Sequence, residues 1–268
     1  MHIASLPMYN IREIHQASAS LWRGIAKYLR REGIDIVPDR LVFGYPLSDL
    51  WSDPKLVFSQ CCGYDVVRAF ESTLTPLAVP HFDVAECAGG EYSSLIVVGE
   101  DCLYDDVLEM RGTIAAINGS QSHSGMNSLR QLVASRHKNG RFFHKVVISG
   151  AHVNSLEMLR CGEADVAAID CVTHALLSAY QPETLAGTRV LGRTYHSPAP
   201  PYVTRSEYGD QFFERMRTAL SRAFEDPALS SARQALFIKK IKWTDITSYR
   251  KISEIEIYAA DLGYPVLQ

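Results

Sequence analysis

From Asn118 to Asn127 the chain reads Asn-Gly-Ser-Gln-Ser-His-Ser-Gly-Met-Asn, a short stretch carrying three serines and a histidine. An apolar, strand-like run precedes it. A helical run follows, with Met126, Leu129, Leu132 and Val133 on one face. The first turn of a helix has backbone N–H groups without intrahelical partners, and the helix dipole adds partial positive charge there. The hydroxyls of Ser122 and Ser124 can donate to the oxygens of an anion, with His123 between them, and Gly125 lets a ligand approach the backbone closely. The chemistry this pattern suits is capture of an anion. Simple N-capping by Ser122 or Ser124 is the plainer reading, but a cap needs one serine and does not call for Ser-His-Ser-Gly.

Other candidates lie at strand ends. His152 can donate to a ligand oxygen or bond to backbone at a helix start. Asp170 closes a buried-looking strand, where it either caps the following helix or faces a ligand; an unpaired carboxylate there would be costly. Tyr92 alternates with apolar residues and reads as a ligand contact or a half-buried core tyrosine. Tyr9 follows Pro7 at a strand end. Gly63, after Cys61 and Cys62, sits in a strand-to-helix turn where backbone contacts to a ligand fit. No Gly-x-Ser-x-Gly elbow, Gly-x-Gly-x-x-Gly, P-loop or His-Glu-x-x-His occurs. No catalytic residue, metal ligand or cofactor is therefore expected.

The totals bound the partners. With 268 residues the chain can bury one large or two medium cores, and 47% hydrophobic with 21% charged residues is an ordinary globular balance. A net charge of -3 excludes a basic footprint for nucleic acid, so an anion site must be built locally. Apolar runs such as Leu95-Ile96-Val97-Val98 are far below the ~20 residues that span a bilayer. The first residues, Met1-His2-Ile3-Ala4-Ser5-Leu6-Pro7, lack the features of a secretion signal. That leaves a cytosolic protein, or a sequence that begins after its signal. The six cysteines show no CxxC pair. They read as buried free thiols, with a structural disulfide as the alternative.

The elements that must hold these residues alternate. Ile3–Leu6 and Leu56–Ser59 read as short strands. A helix with Ile14, Ala17, Leu21, Ile25 and Leu29 lies between them and stops at Gly33. Residues 76–90, marked by Pro76, Pro80, Gly89 and Gly90, look like a crossover. Strand and helix signals then alternate to Tyr180, which predicts a mainly parallel sheet covered on both faces. A return segment begins at Arg189-Val190-Leu191. The last third is read as helical: 212–224, 231–238 and 248–262. This predicts an α/β protein of two lobes, residues 1–84 with 191–268 forming the first and an inserted 85–190 the second. A hinge would join them, with a ligand cleft between.

Six segments, Ile3–Tyr9, Ser59–Tyr64, Gly90–Val98, Ser122–Arg130, Ser149–Ser155 and Asp165–Leu177, together resemble the phosphonate-binding component of bacterial ABC importers. The matching motifs are Glu91-Tyr92-Ser93-Ser94, Ser122-His123-Ser124-Gly125, Gly150-Ala151-His152 and Asp165-Val166-Ala167-Ala168-Ile169-Asp170. The resemblance covers most of residues 1–205. It implies a periplasmic-binding-protein fold of the second type, a monomer that delivers its ligand to an ABC permease, and a periplasmic location. Tyr92, Ser122, His123, Ser124 and His152 would contact the anionic group. The family's acid for a ligand ammonium falls nearest Asp170, and a second family acid has no match near Pro198–Val203, so phosphate, a phosphonate or another small anion stays open. A cytosolic biosynthetic enzyme or a ligand sensor on the same scaffold is the alternative function.

Overall fold

The helical rhythm beginning at Ile14 forms the helix His15–Arg31 in the computed structural model, which describes residues 2–268. Leu21, Trp22, Ile25, Ala26 and Leu29 are its buried face. Gly33, at φ +76°, ends it. Its N–H bonds Arg30 O at 3.0 Å and the Ile34 N–H bonds Leu29 O at 3.1 Å. This double closure needs a left-handed residue, a conformation glycine adopts without strain.

The chain forms two units, each an α/β layer structure. One runs to Asp83 and resumes at Pro198–Tyr249; the other comprises Val84–Ser197 and Arg250–Gln268. In the first, the strands stand in the order Ile3–Ser5, Leu56–Gln60, Tyr202–Arg205, Leu74–Phe82 and Ile238–Trp243. The first pair is parallel and the remaining neighbours are antiparallel. Two sequence expectations are corrected here. Residues 74–82, part of the expected crossover, are a nine-residue strand in spite of Pro76 and Pro80. Its neighbours are staggered: Tyr202–Arg205 pairs with residues 74–78, and Ile238–Trp243 with residues 78–82. Each proline is thus bracketed by a ladder on one side only, where a missing N–H is tolerated. Ile238, expected to close the helix read over 231–238, instead opens the strand Ile238–Trp243 at the end of the sheet order. Its exposed Lys239, Lys240 and Lys242 are the charges expected on an edge strand.

The second unit carries Thr188–Arg193, Ser94–Gly99, Val166–Asp170, Ile114–Ile117 and Lys145–Ile148 in that order. Its sheet is mixed where a mainly parallel one was expected. Ile114–Ile117 is parallel to both its neighbours, while Ser94–Gly99 runs antiparallel to both of its own. The strand–helix–strand runs between residues 114 and 170 account for the parallel part. The strand Val166–Asp170 is buried along its whole length. The second unit also takes Arg250–Gln268, residues expected in the first lobe, through specific bonds. Asn127 Nδ2 donates to Ile252 O, Arg130 donates to Pro265 O, and the Phe142 and Phe143 amides donate to Gln268 O. No helix among the described residues is long and apolar enough to cross a membrane.

Candidate functional site

Parallel strands end on the same side of their sheet. Ile114–Ile117, Lys145–Ile148 and Val166–Asp170 each run at that edge into a helical segment, beginning at His123, His152 and Cys171 respectively. Three helix starts therefore lie along one sheet edge, the usual ligand position of open α/β sheets.

The first helix start is a π-helical turn, His123–Asn127, continuing as an α-helix over Ser128–Ala134. Asn127 N–H bonds Ser122 O at 3.0 Å, and Gly125 N–H bonds Ser122 Oγ at 3.0 Å. Ser122 thus caps the turn as an acceptor. Such widened turns recur at functional sites. Gly125 was expected to make room for a ligand. Instead a Cβ there would overlap Asn118 Oδ1 and stand 3.3 Å from the Asn118 amide nitrogen. The small residue accommodates the Asn118 side chain, whose Oδ1 is buried without a hydrogen-bond partner.

The second helix start follows Ser149-Gly150-Ala151. Gly150 has φ +87°, a turn a side chain would strain, and no side chain caps the helix His152–Arg160. Ser149 Oγ lies 2.7 Å from Ser155 Oγ, and Asn154 Nδ2 donates to Ser149 O at 2.8 Å, which fixes the loop. Ser124 Oγ and His152 Nε2, 3.0 Å apart, tie the first helix start to the second. Ser122 Oγ lies 3.5 Å from Ser124 Oγ, and His152 Nδ1 is buried without a partner. Ser122, Ser124 and His152 therefore form one polar cluster.

His123 faces differently. Its Nε2 is 2.6 Å from Ser197 Oγ and its Nδ1 is 3.2 Å from Asn127 Nδ2. Asn127 Oδ1 in turn accepts from Arg130 at 2.6 Å. Nδ1 must accept from the amide, so Nε2–H donates to Ser197. Both ring nitrogens are engaged inside the protein. Burial lowers the pKa values of His123 and His152 alike to about 4, so both rings are neutral at pH 7. Sequence reasoning missed Ser197, Asn127 and Arg130. Asn127 and Arg130 follow His123 at helical spacing, a signal that was available; Ser197, 74 residues away, left none.

Asp170 caps the third helix: its Oδ1 accepts from the Val172 and Thr173 amides at 2.8 and 3.0 Å. Tyr92 is 3% exposed, with its ring 6.2 Å from that of His123. Tyr9 and Gly63 belong to the other unit. There Tyr9 packs edge-on against Phe82 at 5.2 Å and Gly63 opens the helix Gly63–Arg68. All six cysteines are free thiols; Cys61, Cys62 and Cys171 are buried and Cys161 is exposed. No cluster of three metal-ligating side chains occurs among the described residues.

The cluster thus offers hydroxyl donors and two helix starts, with no formal charge from its histidine. That combination suits an anion, because the dipoles and N–H groups supply positive potential that the imidazole does not.

Residues 58–249, well over half of the chain, match a family described as the phosphonate, periplasmic substrate-binding protein of ABC transporters. No curated protein matches in sequence. A binding-protein component of an ABC phosphonate transporter from Pseudomonas aeruginosa is similar in structure, with a TM-score of 0.77 at 16% identity over 98% of this chain and 87% of that one. PhnD1 from Prochlorococcus marinus, in complex with methylphosphonate, has a TM-score of 0.71 at 13% identity over 96% and 97%. A Xanthomonas citri protein bound to chloride has a TM-score of 0.71 at 16% identity over 97% and 98%. At these identities the structures speak for the shared two-lobed periplasmic-binding-protein fold. The matched family is one of solute binding, so the enzyme alternative is not borne out.

Proposed function

Because the chain belongs to the phosphonate-binding family of ABC-transporter substrate-binding proteins, we propose that it captures a small oxyanion of the phosphate or phosphonate kind. In this reading it delivers the anion to an ABC permease from the periplasm. The observation that carries the ligand class is the Ser124–His152 bond, 3.0 Å long, which joins two helix starts at one sheet edge. The hydroxyls of Ser122 and Ser124, the amides of the two first turns and the His152 ring are the proposed donors. Tyr92 and His123 support the cluster, with His123 acting through the helix it anchors and not through a free ring nitrogen. Tyr9 and Gly63 are kept as proposed ligand contacts on the strength of the sequence reading.

The role of Asp170 narrows the ligand. Its Oδ1 is held by two helix amides, so its charge is largely balanced by its own helix start. A ligand ammonium gains less from such a carboxylate, and plain phosphate or a simple alkylphosphonate fits this site better than an aminoalkyl phosphonate.

Calorimetric titration with phosphate, methylphosphonate, an aminoalkyl phosphonate, a sulfonate and a carboxylate tests the reading. Phosphate or methylphosphonate should bind, be recovered unchanged, and at 100 times its dissociation constant stabilise the fold by about 2.7 kcal/mol. Binding heat from none of the oxyanions, or from the carboxylate alone, would overturn it.

A further inference from the structure

Two thiols outside the anion cluster meet in the second unit. Cys87 Sγ and Cys171 Sγ are 3.5 Å apart, although 84 residues separate them in sequence. Both main chains are fixed around them. Cys87 stands opposite Tyr92 in the short hairpin formed by Cys87–Ala88 and Glu91–Tyr92. Cys171 opens the helix Cys171–Tyr180, and its N–H bonds Ser93 O at 3.2 Å. Ser93 Oγ donates to Glu86 O at 3.3 Å, which closes the ring of contacts around the pair. The sulfurs are therefore in van der Waals contact on anchored backbones. A disulfide needs the sulfurs at ~2.05 Å, so the pair has to close by about 1.5 Å.

We propose that Cys87 and Cys171 form a disulfide when the protein meets a thiol-oxidising environment, and that this bond fastens the Tyr92 hairpin to the helix capped by Asp170. Cys87 is half-buried and Cys171 is 1% exposed, so a small oxidant reaches Cys87 first. The Cys171 thiol is held protonated by its hydrogen bond with Cys87 and by burial, which suits it to the second step, after Cys87 has reacted. The co-reactant is a disulfide, RSSR. The Cys87 thiolate attacks one of its sulfurs, a Cys87–S–S–R bond forms and RS⁻ leaves. Cys171 then gives up its proton and its thiolate attacks Cys87 Sγ, displacing the second RS⁻. Two protein thiols lose two electrons and two protons, and RSSR becomes two RSH.

The full chain, incubated with oxidised glutathione, alkylated and digested without reduction, should yield one peptide pair joining Cys87 to Cys171. Dithiothreitol should abolish that pair. The oxidised chain should melt roughly 10 °C above the reduced one, as expected for a loop of this length. Cys87→Ser, at the more accessible position, should remove both the cross-link and the melting difference. Mapping on the unaltered chain needs no variant, so an unfolded Cys171→Ser would not blunt the test. Cys87 and Cys171 both still alkylated after oxidation of the folded chain would refute the bond. So would a cross-link of either residue to a different cysteine.

Discussion

Ser124→Ala is the most direct trial of the proposed anion cluster. Ser124 is 8% exposed and its Oγ bonds His152 Nε2 at 3.0 Å. His152 Nδ1 already lacks a partner, so the substitution leaves the imidazole with no hydrogen bond at all. Leaving a buried polar group unpaired costs about 1–3 kcal/mol of stability. A separate loss appears on binding, because a hydrogen bond to a charged group contributes about 1.5–3 kcal/mol, which weakens affinity by roughly 10- to 150-fold. Ser122→Ala should weaken binding on the same scale and cost about 0.5–2 kcal/mol of stability as a lost cap, since it removes the acceptor for Gly125 N–H. Ser128→Ala is the control. It lies on the same helix and its Oγ donates to Ser124 O at 2.6 Å, so it should lower stability and leave affinity nearly unchanged. Calorimetric titration with the tightest oxyanion, paired with melting curves on the three variants, separates the effects. Affinities of Ser122→Ala and Ser124→Ala within about twofold of the parent, with lowered melting temperatures, would reduce these serines to helix caps.

Gly125→Ala should destabilise the fold by about 1–3 kcal/mol, because its methyl must displace Asn118; a melting temperature unchanged from the parent would refute that packing. Acid should unfold the protein in a defined window. His123 titrates at about 4 when folded and near 6.5 when unfolded, so the unfolded chain binds the extra proton between those values. Its contribution is complete above pH 6.5 and about 3 kcal/mol is lost as pH falls to 4, which urea titrations across that range will read; His123→Gln should flatten the slope. Asn127→Leu should cost about 2–4 kcal/mol, since it strips partners from both His123 and Arg130; an equal melting temperature would show that the network carries no stability.

The sequence showed where hydroxyls meet helix starts, because strand-to-helix transitions and capping residues are local signals. Asp170 was legible in the same way, with capping as one of its two readings. What was hidden depends on distant chain. Pro76 and Pro80 spoke against a strand, and only the stagger of Tyr202–Arg205 and Ile238–Trp243 makes that strand possible. Ile238–Trp243 carries three lysines and has little apolar alternation of its own, so its pairing with Leu74–Phe82 decides its form. Gly125 read as space for a ligand because Asn118, seven residues earlier, could not be seen folding back onto it. His123 read as a ligand donor because nothing local announced Ser197.

The chain passes between the two units three times, the last near Tyr249, and this has a consequence for how the protein is made. Asn127 and Arg130, next to the proposed anion cluster, find acceptors in Ile252 and Pro265, 125 and 135 residues downstream. Contacts of such long sequence separation form late and slow folding. On the ribosome the inserted segment will emerge long before the residues that brace it. The helix bearing Ser124 therefore reaches its final setting only after residues 252–265 have been synthesised. A nascent or prematurely terminated chain would carry every proposed ligand contact in sequence and still be unable to hold them in place.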